Sequence, residues 1–438
     1  MARPLTSSPE PVPPVPGAPP LTRRAAWSIA LAGTLAMAIS FFDRQALSVL
    51  APTVTAELHV SDAAYGWLGA AFSIAYLVGA PYAGWLIDRV GARKGMRGAI
   101  TLWSIVAALH ALAPGFGALV ALRLALGLAE SPSFPAAVQT VQRVLPPSDR
   151  ARGMSTLFVG MSLGAMIVPP LAIAIQARFG WRVAFAATSC VGLLWIPLWW
   201  RVTSSPAARA ALEPVALAPP HADATDAPGA MGSTGRRSAA IAAHPAVLRA
   251  LLAIVAVTPF SAFAAAWEAK YYVRVFSFAQ KDLGAYLMIS AAFYDGGALL
   301  FGDLAARRAR SVDHDGTAPR ALFAVATLFA ASGAASLGMA GTPLVAVMSM
   351  ALGATGRGAI VTLLNSDMAA RAPRAQVSAA AGVIASAQAA AHVIVNPIVG
   401  HAVQSSGYRG VLMGLAAWTL PGCIAWMAWE PRRSPNVG

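Results

Sequence analysis

The chain has 438 residues, of which 57% are hydrophobic and only 11% charged, and it carries a formal net charge of +14. Soluble domains are about 25% charged, and a water-facing exterior of this size could not be built from so few polar side chains. The composition excludes a soluble enzyme and a soluble basic nucleic-acid-binding domain. It points to an all-α protein in lipid, where apolar side chains face outward on every helix.

Residues 1–22 are Pro-rich, without an apolar run, and are expected to form a disordered cytoplasmic tail, with no signal peptide. Apolar blocks of roughly 20 residues then follow, the length that crosses about 30 Å of hydrocarbon as a helix. About twelve are predicted. In the half at 23–201 they are 25–49, 64–87, 95–113, 116–141, 153–177 and 181–200. In the half at 244–430 they are 247–273, 283–306, 321–340, 343–368, 377–403 and 410–429. A polar stretch at 202–243 is expected to be a cytoplasmic central loop, and 431–438 a cytoplasmic tail. Six spans on either side of one loop suit the repeat architecture of secondary transporters.

Alternating spans place Arg23, Arg24, Arg89, Arg93, Lys94, Arg97, Arg143, Arg150 and Arg152 on one side. The central loop, Arg307, Arg308, Arg320, Arg371, Arg374, Arg432 and Arg433 join them. The opposite side has Arg178, Arg182, Arg274, Lys281 and Arg409. The positive-inside rule puts both termini in the cytoplasm, and an odd span count would scramble the pattern. Cys190 and Cys423 both lie in apolar segments, offering neither a disulfide framework nor metal-ligand spacing. No cofactor, nucleic-acid partner or obligate protein partner is predicted.

Ionisable residues inside these blocks are costly, at about 2.5–3.5 kcal/mol on insertion scales. In the first block, Phe42-Asp43-Arg44-Gln45 follows a long apolar run. Asp43 and Arg44 either face a partner or water-filled cavity, or snorkel to the interface. Their side chains point about 100° apart, so one could bind solute while the other takes a proton. In the fourth block Arg123, Gly127 and Glu130 fall at i, i+4 and i+7, on one helix face. Gly127 would admit a close neighbour, and Pro132 and Pro135 would bend the helix. Glu130 is placed to exchange a proton, or else Arg123 and Glu130 are structural ion-pair members with other helices. At the cytoplasmic end of the second block, Gly84, Asp88, Arg89, Gly91 and Arg93 form a loop in which the acid needs explanation. Asp88 could cap the N-terminus of a facing helix, plausibly the eleventh span, and act as a gate latch.

The Gly84–Lys94 segment resembles the signature loop of the major facilitator superfamily. More narrowly, Phe42 through Pro52 is similar to the first helix of its anion:cation symporter family, which includes hexuronate and aldonate uptake carriers. Arg123 through Pro135, Gly160 through Gly164 with Pro169-Pro170, and Gly180-Trp181-Arg182 resemble the fourth, fifth and sixth helices of that family. The resemblance implies twelve helices in two halves and import of a small organic anion by proton symport, in a bacterial inner membrane. It implies that Arg44 holds the substrate carboxylate with Tyr76 at the cavity, that Asp43 and Glu130 couple protons, and that Arg123 tunes them. Read without the resemblance, Tyr76 is equally a buried aromatic with a satisfied hydroxyl.

The second half departs from the family. Its repeated loop is reduced to Gly302-Asp303 with Arg307-Arg308, and the eleventh-helix pattern is replaced by Gln388 through His392 before Asn396-Pro397. Glu268, Lys270 and Arg357 are additional, whereas Asp295 resembles a family position. These departures leave the anion open. A drug exporter would share the loop but carries a longer glycine-proline pattern, met here only by Gly160, Gly164 and Pro169. A carrier-like sensor lacks a signalling domain. A membrane enzyme lacks HExxH, a Ser/His/Asp arrangement and a phosphate-cradling loop.

Overall fold

A computed structural model describes residues 21–213, 241–311, 318–372 and 377–430. The expected tails and most of the central loop lie outside them. The described residues form eleven α-helices: α1 (Arg23–Glu57), α2 (Asp62–Leu109), α3 (Phe116–Glu130), α4 (Ser133–Val144), α5 (Pro147–Val202), α6 (Pro206–Leu212), α7 (Pro245–Phe276), α8 (Leu283–Ser311), α9 (Arg320–Gly338), α10 (Pro343–Arg371) and α11 (Val377–Ala428). Helix starts carry their chemistry locally. The Ala25 and Ala64 amides donate to Thr22 and Ser61 hydroxyls at 3.3 and 3.2 Å, and Pro343 follows the Thr342 cap where a missing N–H costs nothing.

The predicted boundaries shift for physical reasons. α1 runs eight residues beyond 49, through Pro52, to Glu57. The second and third blocks are two helices that meet at a non-helical Gly91 with no loop between them, and the fifth and sixth likewise meet at Gly180 and the eleventh and twelfth at Gly407. Each of these glycines has a φ of +73° to +80°, which a side chain would strain, so the chain reverses there without a loop. The two later corners are chemically alike, Gly180-Trp181-Arg182 and Gly407-Tyr408-Arg409. The fourth block is divided at Ser131-Pro132 into α3 and α4, as its prolines suggested. Nine described helical segments are long and apolar enough to cross a membrane. Leu194, Leu299 and Leu344, each more than 70% exposed, suit a lipid-facing surface. The polar interruption is partly ordered: Ala208 and Leu212 of α6 are buried in the apolar cluster of the first half.

Close packing within each half rests on glycine. A Cβ on Gly160 would meet the Thr34 carbonyl oxygen at 2.6 Å, and one on Gly164 would strike that of Ala38, so α5 lies directly on α1. Gly127 of α3 sits on the Phe72 carbonyl of α2, and Gly358 of α10 on the Tyr294 carbonyl of α8, the same device in both halves. Between the halves, α2 packs on α11, α5 on α8 and α1 on α7.

The apolar core is divided unequally. One cluster draws residues from both halves, among them Leu50, Leu68 and Trp181 with Phe263, Tyr272 and Leu412, at the end that has few arginines. At the arginine-rich end the clusters separate, one made of first-half residues around Trp103 and Trp199, the other of second-half residues around Phe323 and Trp426. The apolar core is therefore shared between the halves at the arginine-poor end and divided between them at the other.

Gly164→Ala should overpack the α1–α5 contact and lower stability by about 1–3 kcal/mol. Gly98→Ala, whose new methyl meets only open space, should not. Thermal unfolding of the purified variants in detergent checks the pair.

Candidate functional site

The loneliest charges in the sequence converge where α1 passes α3. Arg44 Nε donates to Glu130 Oε2 at 2.6 Å, and the Ser40 hydroxyl donates to the same oxygen at 3.0 Å. Glu130 is fully buried, whereas the Arg44 side chain keeps 22% of its surface exposed. The guanidinium is boxed by aromatic faces, with its carbon 4.5 Å from the Tyr76 ring centroid, 5.0 Å from Phe41 and 5.2 Å from Phe72. Such faces stabilise a cation in a water-poor place. The pair is incomplete on both sides: Glu130 Oε1 and Arg44 Nη2 are buried with no hydrogen-bond partner. Arg44 therefore retains a donor that a further anionic oxygen could accept from.

Asp43 and Arg123 lie behind this pair. Asp43 is buried with neither carboxylate oxygen bonded, and Arg123 is buried with Nε and Nη2 unbonded. No carboxylate stands within 4 Å of Arg123 among the described residues, yet Asp43 and Glu130 both act on it electrostatically. Asp43 in turn feels Glu130 and Arg123. Two acids and two arginines thus share one buried neighbourhood, in which a proton gained by either acid changes the field on both cations. Gly127 makes this possible by bringing α3 onto the α2 backbone at Phe72 and Tyr76.

The structure thus brings Asp43, Arg44, Tyr76, Arg123 and Glu130 together. Snorkelling does not describe Asp43, which is 2% exposed. The partner of Glu130 is Arg44 on another helix, whereas Arg123 forms no ion pair among the described residues. Ser40 and the Phe41 and Phe72 rings were missed, because a hydroxyl and aromatic side chains in apolar helices carry no signal by themselves.

The gating loop is placed apart. Gly91 forms the helix corner, and Gly84 faces open space. The Arg89 guanidinium lies 4.3 Å from the Trp85 ring centroid, and Arg93 Nε donates to the Thr203 carbonyl at 3.1 Å. Asp88 accepts from Gln139 Nε2 at 2.8 Å, within its own half. The latch from Asp88 to the eleventh span is not made among the described residues, where Asp88 is taken by Gln139.

A latch that the sequence did not reveal closes the opposite end. Lys270 Nζ donates to Asp62 Oδ1 at 2.6 Å, with both groups buried, and Arg274 pairs with the other oxygen. Tyr65 donates to the Ala266 carbonyl at 2.6 Å and Gln280 to the Val49 carbonyl at 2.9 Å, again across the halves. Midway down, Ser162 donates to Asp295 at 2.9 Å between α5 and α8.

Comparison with known proteins agrees with this geometry. The model of the Major Facilitator Superfamily matches residues 33–395. The galacturonate transporter of Dickeya chrysanthemi is 31% identical over 166 residues, covering 38% of this chain and 48% of that protein. The hexuronate transporter of Escherichia coli K12 is 31% identical over 173 residues, 40% of each chain, and that of Bacillus subtilis 33% over 167 residues, 38% of this chain and 40% of that one. The matches span less than half the length of these relatives. In fold, a bacterial homologue of the human lysosomal transporter Spinster, in an inward-facing and unoccupied conformation, superposes with a TM-score of 0.76 at 15% identity, over 94% of this chain and 100% of that one. A partially occluded inward-open xylose transporter of Escherichia coli gives 0.68 at 15% identity, over 93% and 98%.

Asp62→Asn should unfasten the arginine-poor end, since removing one partner of a buried ion pair costs about 3–5 kcal/mol. The check is a cysteine at Leu68, buried just beneath the latch, in a chain whose Cys190 and Cys423 are replaced by serine. Its labelling by a membrane-impermeant thiol reagent should rise in the variant.

Proposed function

Since the chain belongs to the major facilitator superfamily, a class of carriers and not of enzymes, we propose that it is a secondary transporter importing a sugar acid or similar small carboxylate with protons. The observation that carries the reading is the buried Arg44–Glu130 pair with its spare donor. Relatives named as galacturonate and hexuronate transporters support the substrate class. Their bacterial sources and the multi-pass helices fit a bacterial inner membrane.

In this reading the turns at Gly91, Gly180 and Gly407 separate crossings, and α3 with α4 makes one more, giving twelve in two six-helix halves with both termini cytoplasmic. Charge supports the orientation through number: the arginine-rich side carries many more cations than the outer side, where Arg182 is paired with Glu57, and Lys270 and Arg274 share Asp62. The described conformation is then closed outside by the Asp62 latch and open toward the cytoplasm.

Coupling follows from competition for one guanidinium. With Glu130 ionised, Arg44 is engaged, and a carboxylate from solution meets a neutralised cation. A proton on Glu130 removes the competing charge, so Arg44 can turn its paired donors to the substrate. Tyr76, Phe41 and Phe72 hold the guanidinium in plane for that exchange. Asp43, tuned by Arg123, takes a second proton. With Glu130 protonated, the bound carboxylate takes over its charge, so the loaded Arg44 site has the same net charge as the empty ion pair and costs little more to carry through the closed state. After the halves rock about this midplane site, protons leave to the cytoplasm, Glu130 recaptures Arg44 and the anion is released. The Gly84–Arg93 loop fastens the cytoplasmic end when the protein faces outward.

Proteoliposomes test the reading. Glu130→Gln should exchange galacturonate across the membrane yet fail to concentrate it under a pH gradient. Full accumulation by that variant would remove Glu130 from coupling. Arg44→Lys keeps the charge but loses the planar fork, and should weaken galacturonate binding by about 1.5–3 kcal/mol. A KM for galacturonate equal to that of the unmodified carrier would show that Arg44 is not the carboxylate anchor.

A further inference from the structure

Among the described residues, most buried ionisable side chains have an oppositely charged partner within 4 Å. Asp62 has Lys270, Asp149 has Arg23, Glu130 has Arg44, and Asp367 lies between Arg249 and Arg371. Four carboxylate or guanidinium side chains do not: Asp43, Arg123, Glu268 and Arg357. They form two couples. Asp43 is on the first helix of its half and Arg123 on the fourth span of that half. Glu268 is on α7, the first helix of the second half, and Arg357 on α10, the fourth span of that half. In each couple the arginine acts on the acid through space without an ion pair.

The surroundings of the second couple are as dry as those of the first. Glu268 and Arg357 are each 4% exposed, and Glu268 Oε1, Arg357 Nε and the Tyr272 hydroxyl are all buried without a hydrogen-bond partner. The Arg357 guanidinium lies 4.7 Å from the Phe260 ring centroid and 5.8 Å from that of Tyr294. The groups facing Glu268 are Tyr272 from its own helix, Ser290 from α8 and Arg357 from α10. Lys270, two residues along, is taken up by Asp62 and held over the Tyr65 ring. A structural ion pair would have closed to bonding distance, as the other buried pairs do. An acid kept near its counter-charge yet unbonded can gain or lose a proton without breaking a salt bridge.

We propose that Glu268 is a proton-carrying site in the second half, with Arg357 as the fixed positive charge that balances it when empty. This rests on the proton-symport reading above and adds one proton to each transported anion. Protonation of Glu268 moves no substrate contact. Its role is to change the charge of the second half between the loaded and empty carrier, just as Asp43 changes that of the first.

Two measurements decide it, one independent of the substrate. Infrared difference spectra of the purified carrier, titrated with acid and base, should contain a buried protonated-carboxyl C=O band that Glu268→Gln deletes and Glu268→Asp shifts. Identical spectra in carrier and variant would overturn the proposal. In proteoliposomes with the membrane potential clamped at zero, Glu268→Gln should lower galacturonate accumulation about tenfold for each unit of pH gradient, the effect of one proton fewer. Arg357→Gln with Glu268→Gln removes the couple together, and should show the same loss while still exchanging galacturonate. An unchanged dependence on the pH gradient in both variants would overturn the stoichiometry. An unmodified carrier that ignores the gradient would instead overturn the symport reading, while the infrared band would still report on Glu268.

Discussion

A charge buried in a bilayer protein needs a counter-charge, and the contact between Arg44 and Glu130 is where this chain meets that demand with the least to spare. The cost of an unpaired buried ion is several kcal/mol, so neither residue can be given up by the other without a replacement. A proton can replace Arg44 for Glu130, and a carboxylate can replace Glu130 for Arg44. In the proposed symport, two ligands that never touch are thereby made to arrive together. The remaining architecture serves this exchange: Gly127 lets α3 reach α2, the aromatic box keeps the guanidinium oriented, and the helices keep water away from Glu130.

The halves share an apolar core and a charged clasp at one end and have separate apolar cores at the other. Asp62 begins α2, where helix N–H groups favour an anion, and there it is also shared by two cations of α7. The clasp thus joins a local preference, a carboxylate in a first turn, to a contact spanning the two halves. At the arginine-rich end the corresponding chemistry is held within each half: Asp88 with Gln139 in the first, and Asp367 with Arg249 and Arg371 in the second. Each end therefore has its own polar groups in place whichever way the molecule faces.

Much of this was legible in the sequence, and the limits are instructive. Apolar length marks the helices, and the i, i+4, i+7 spacing places Arg123, Gly127 and Glu130 on one face. The order and chemistry of motifs in the first half pointed to Arg44. What periodicity could not give was pairing at a distance. Nothing in the spacing joins Glu130 to Ser40 ninety residues away, or Lys270 to Asp62 across 208 residues. Nor could it tell a corner from a loop. Gly180 and Gly407 reverse the chain where two helices meet with no loop between them, so the ends of neighbouring apolar blocks blur into each other. Lys270 looked like an anomaly of the second half until its partner in the first was visible.

The contacts between the halves have a consequence for speed. Gly66 rests on the Asn396 carbonyl and Gly284 on the backbone of Pro170, so parts of this seam are main chain against main chain. Such surfaces interlock little: no long side chain must withdraw from a pocket before they part, and each lost atom pair forfeits only about 0.1–0.2 kcal/mol. Friction along the seam is correspondingly low. In the proposed transport cycle, turnover is then governed by the few polar bonds that must break together at the rim, and a single bulky residue set into either glycine position would act as a wedge on the entire cycle.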